Sequence, residues 1–77
     1  MTNFQVATDP ESRPSASWAG RLAVLKSRAV PDDDPRIIEC RQALAYHRVQ
    51  RAINAETGQL SRPGVDRLLT QLRGAAS

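Results

Sequence analysis

One cysteine, one histidine and three aromatic residues are all that 77 positions offer of the side chains that staple, ligate or stack. A lone Cys40 excludes an internal disulfide and suits a reducing compartment. A lone His47 without a Cys/His cluster leaves no structural zinc site. Phe4, Trp18 and Tyr46 are too few for the interleaved aromatic and basic pattern of single-strand binders. No apolar run approaches the roughly 20 residues that span a bilayer, and the first residues lack the basic segment and apolar run of a secretory signal. The expectation is a cytoplasmic chain with no membrane contact.

Reactive constellations are also missing. There is no glycine-rich phosphate loop, no dinucleotide fingerprint and no nucleophile elbow. Cys40 and His47 are two helical turns apart, about 10 Å by helix rise, too far for a thiolate–imidazole pair. A chain this short has little material for walling off a substrate pocket. We therefore expect no enzyme, no cofactor, no bound metal and no small-molecule substrate.

What is present is aliphatic periodicity. With few aromatic and β-branched residues the chain favours helices over a sheet, and the fold class expected is all-α: a small three-helix domain over residues 15–77 behind a disordered N-terminal tail, residues 1–14. The tail holds Pro10 and Pro14 and only Phe4 and Val6 as larger apolar residues, too little burial to offset ordering entropy. A first helix over 15–30 has Ser15 or Ser17 as its cap. Trp18, Leu22, Leu25 and Ala29 share one face, and Val30-Pro31 ends it. Asp32-Asp33-Asp34-Pro35 reads as a helix start, with Asp34 as N-cap and Pro35 in the first turn. It lacks the glycine and distal glutamate of a calcium loop.

The middle helix, 35–57 with Gly58 as a left-handed stop, carries two apolar strips. One holds Ile37, Cys40, Leu44 and Ala55; the other holds Ile38, Ala45, Val49 and Ala52, with Tyr46 and Ile53 beyond. Two strips make it a spine touched by both neighbours or by another chain. The third helix, 61–73, begins with a Ser61 cap and a Leu60/Val65 staple, presents Val65, Leu68, Leu69 and Leu72 on one stripe, and stops at Gly74.

The net charge is +3, and ten of the eleven basic residues are arginine. Arginine suits phosphate or carboxylate partners. On the middle helix Arg41 and Arg48 fall within roughly 20° of each other, Arg51 about 60° further, and His47 borders the sector. Arg41, His47, Arg48 and Arg51 are the candidate partner-binding residues. The bland alternative is that their stems cover Leu44 and Ala45 while the guanidiniums reach water or pair with Asp66 and Glu56.

The segment from Arg21 to Leu44, with Val30-Pro31-Asp32-Asp33-Asp34-Pro35 at its centre, and the closing Leu60-Ser61 to Arg67-Leu68-Leu69 resemble small helical proteins encoded in actinobacterial prophages and plasmids. The resemblance spans about residues 18–74. It implies a mobile-element setting and brings no catalytic residue.

The function expected is a non-catalytic regulatory protein-interaction module, self-associating or bound to another protein, burying Ile37, Leu44 or the Val49/Ile53 side. The alternative is a nucleic-acid-binding regulator using arginines of the middle and third helices. The turn from Glu56 to Ser61 could join a helix-turn-helix, but Arg62-Pro63-Gly64 after it offers few base readers.

Overall fold

The computed structural model describes residues 8–75. A 3-10 turn at Pro10–Ser12 precedes α1 (Ser15–Ser27), α2 (Pro35–Ala55) and α3 (Arg62–Ala75), with no strand among the described residues. The all-α, three-helix expectation is met.

α1 starts behind Pro14 with no side-chain cap, so neither Ser15 nor Ser17 serves as one. Its end falls three residues short of the expected Val30. Arg28 is the C-cap, and Ala29 turns left-handed at φ 58°. Val30 N–H reaches Leu25 O at 3.1 Å and Ala29 N–H reaches Lys26 O at 3.0 Å. These are the paired bonds of a Schellman stop, with Val30 packed against the core as its hydrophobic contact. The left-handed position normally takes glycine, because a Cβ there costs roughly 1–2 kcal/mol. Ala29→Gly should therefore raise the melting temperature by several degrees, about 1 kcal/mol, read by thermal circular dichroism. An unchanged or lower midpoint would show that Ala29 carries no such strain.

The aspartate run divides its work. Asp34 caps α2, accepting from Arg36 N–H at 2.8 Å, with Pro35 in the first turn as expected. Asp32 accepts from Lys26 at 2.5 Å and from Arg41 at 3.3 Å, tying the end of α1 to α2. α2 closes at Ala55, and Gly58 takes φ 86°. α3 is capped as expected, Ser61 Oγ accepting from Gly64 N–H at 3.1 Å. It runs through Gly74 to Ala75, a glycine inside a helix being a modest cost and no stop.

The core is small and belongs to α1 and α2 alone. Trp18, Leu25, Ile37, Cys40 and Ala43 are buried, with Leu22, Val30 and Leu44 packed around them. Ile37 and Leu44, expected at an interface, lie here because their strip is the one α1 covers. α1 has 13 residues against 21 in α2, so the second half of α2 overhangs. α3 stands off from that core: no Cα approach within 8 Å joins it to α1, α2 or the 3-10 turn. The radius of gyration is 15.0 Å, against about 11–12 Å for a compact chain of this length.

Candidate functional site

Two surfaces stand out, a polar strap and an apolar groove. The strap is residues 8–14, which the sequence assigned to the tail. Asp9 caps the 3-10 turn through Glu11 N–H at 2.9 Å. Pro10 O accepts from Trp18 Nε1 at 2.9 Å and from His47 Nε2 at 3.0 Å. His47 also reaches Arg13 O at 3.2 Å. Both partners are carbonyls, so Nε2 carries the proton. Glu11 accepts from Tyr46 Oη and from Gln50 Nε2, the latter at 2.7 Å. Thr8 Oγ1 donates to Glu39 at 2.5 Å, and the Arg13 guanidinium sits 5.5 Å over the Trp18 ring.

Ordering here comes from hydrogen bonds, so an estimate based on apolar burial put the tail boundary at 14. The expected tail's residues 1–7 lie outside the described residues. The missed signal was Asp9-Pro10-Glu11, which repeats the cap-then-proline pattern of Asp34-Pro35.

The strap has a pH window. The Tyr46 and Gln50 hydrogen bonds hold the Glu11 carboxyl below its usual 4.5, and the same Tyr46–Glu11 bond raises the phenol above 10.0. A depressed carboxylate contributes stability above the ordinary value and loses it as pH falls through the lower one. A raised phenol contributes below 10.0 and loses it as pH climbs. Docking should thus be complete from about pH 5 to 9 and weaken on both sides. Near-ultraviolet dichroism of Trp18 and Tyr46 reads it. Glu11→Gln should remove the acid limb of that signal, leaving the loosening due to Asp32 and Asp34, whose carboxyls also titrate low beside Lys26 and Arg36. An unchanged acid limb would overturn the assignment to Glu11.

The groove lies between the overhang of α2 and α3. Ala45, Tyr46, Val49 and Ile53 form one wall; Leu68, Leu72 and Ala75 form the other. Ile53 is 48% exposed and Leu72 45%, high for side chains of this size in a chain with so small a core. Ile38, Val65 and Leu69 extend the same exposed surface. The second strip of α2 thus has no cover from its own chain among the described residues.

The four residues singled out by helical phase do not act together. Arg41 is engaged with Asp32. His47 is half-buried under the strap, its ring nitrogen committed to backbone. Arg48 and Arg51 are exposed, with no ion pair among the described residues. Their helical phase places Arg48 beside the second strip and Arg51 on the far side of α2. Cys40 is fully buried in the core. No group of three possible metal ligands occurs among the described residues, and no described helix is long and apolar enough to cross a membrane.

No family model, curated protein or solved structure matches the chain.

Proposed function

We propose that the protein is a non-catalytic regulatory interaction module whose α2/α3 groove docks an apolar helical surface of a protein partner. The observation that carries this reading is the exposed apolar wall pair, Val49 and Ile53 facing Leu68 and Leu72. A contiguous apolar surface rimmed by polar groups is the mark of a docking site, and a groove between helices takes an amphipathic helix. The reducing, cytoplasmic setting and the mobile-element origin belong to the same proposal, resting on the lone thiol and on the resemblance over residues 18–74.

Charge distribution favours a second reading. Residues 8–47 carry six acidic and six basic side chains, so the whole net charge of +3 lies on residues 48–75. Such a basic arm could contact phosphates, and the nucleic-acid alternative is retained on that ground.

Affinity capture from cell lysate separates the two. A partner of the groove should survive nuclease and high salt and vanish with Leu68→Glu/Leu72→Glu. Arg48→Glu/Arg51→Glu should weaken it only about tenfold or less, since rim charges act mainly on association rate. If the arginine pair abolishes binding, and wild-type binding falls steeply with salt through counterion release, the phosphate reading replaces this one.

A further inference from the structure

The second strip of α2 and the apolar stripe of α3 are alike in length, chemistry and lack of cover. From Ile38 to Ile53 the strip runs about 22 Å, and the 14 residues of α3 run about 21 Å. From this match, and resting on the reading of the groove as a docking site, we infer that its occupant is α3 of a second copy of this chain. The contact is reciprocal: each α3 lies along the partner's α2 strip, as a two-fold pair requires.

Three observations carry this. A lone helix of 14 residues is marginal in water, because its nucleation cost needs tertiary packing to offset it. α3 has none in its own chain. The charges also fit. α3 bears Arg62, Arg67 and Arg73 against a single Asp66, while one flank of the α2 strip is edged by Glu11, held there by Tyr46 and Gln50, and by Glu39, which also meets Arg21 at 3.8 Å. In α3, Arg62 and Arg73 share one flank of the apolar stripe with Asp66, so that flank is net positive and can lie along that acidic edge.

The area fits as well. Ile38, Val49, Ile53, Val65, Leu68, Leu69 and Leu72 are 37–48% exposed. On side chains of this size that is roughly 550 Å² of apolar surface per chain, and the intervening alanines and polar stems bring it near the ~800 Å² each partner contributes to a stable interface. The structure thus supplies a donor helix and an acceptor strip on one chain, and two copies satisfy both with no third component.

Sedimentation and native mass spectrometry of the full chain at about 100 μM should show a dimer with micromolar dissociation, the weaker end for an interface of this size. Leu68→Glu/Leu72→Glu and Val49→Glu/Ile53→Glu should each weaken it at least about 100-fold. Melting followed by Trp18 fluorescence, at a concentration well below that dissociation constant so that association adds no stability, should stay unchanged, since all four positions lie outside the core. A dimer that resists either variant overturns the exchange. So does a monomeric wild type, and hydrogen exchange then separates the readings. Freely exchanging α3 amides leave the groove open, with only the second copy wrong as its occupant. Protected α3 amides put α3 down on its own α2 and remove the groove itself.

Discussion

Trp18→Ala should leave residues 8–47 without a cooperative fold at room temperature. Trp18 is 1% exposed and the largest side chain in a core of five buried residues. Removing a buried tryptophan costs about 3–5 kcal/mol, and the hydrogen bond to Pro10 O adds about 1 more. A natural domain holds roughly 0.05–0.15 kcal/mol per residue, so a body of this size has about 2–6 kcal/mol to lose. The loss therefore matches or exceeds the reserve. Trp18→Phe keeps most of the apolar volume and gives up the indole N–H, so it should cost only about 1–2 kcal/mol and loosen the strap. Urea titrations followed by far-ultraviolet dichroism give both numbers. A cooperative transition of near wild-type midpoint in Trp18→Ala would mean that the core does not depend on this ring.

The second large effect is a contrast between two isoleucines on one helix. Ile37 is fully buried against α1, whereas Ile53 is 48% exposed on the groove wall. Ile37→Ala should destabilise by about 2–4 kcal/mol through lost burial and an unfilled cavity. Ile53→Ala should change stability by about 0.5 kcal/mol or less. Association should respond in the opposite order, weakening in Ile53→Ala while any folded Ile37→Ala still binds. Denaturant melts and sedimentation on the same preparations decide it. Equal destabilisation at both positions would show that the two strips are buried alike and that the groove is closed.

These isoleucines also show what could be read from residues alone. Periodicity gave both strips of α2, because a helical phase is a local property of the chain. It did not say which strip α1 would cover, since a face carries no label for its partner. The expected lengths did show that cover would be partial: a first helix over 15–30 reaches about 24 Å, against about 34 Å for a middle helix over 35–57.

Ala29 was illegible for a different reason. A left-handed stop on alanine runs against the preference for glycine, and only the tertiary docking of Val30 selects it. The strap was missed because every one of its anchors is a polar group. Tyr46, His47 and Gln50 meet partners 35 to 39 positions away, beyond any spacing rule. His47 therefore read as a partner-facing group from its basic neighbours, whereas its ring lies half-buried under the strap.

The strap's long reach also fixes an order of events during synthesis. Residues 9–13 leave the ribosome well before Tyr46, His47 and Gln50, so at about 5–20 residues per second they wait some seconds undocked. The α1/α2 hairpin closes through short loops and forms first. The strap is therefore made before its anchors and is among the last segments to settle. α3, made after the α1/α2 body, comes no closer than 8 Å to it between Cα atoms, so nothing in the order of synthesis seats it there.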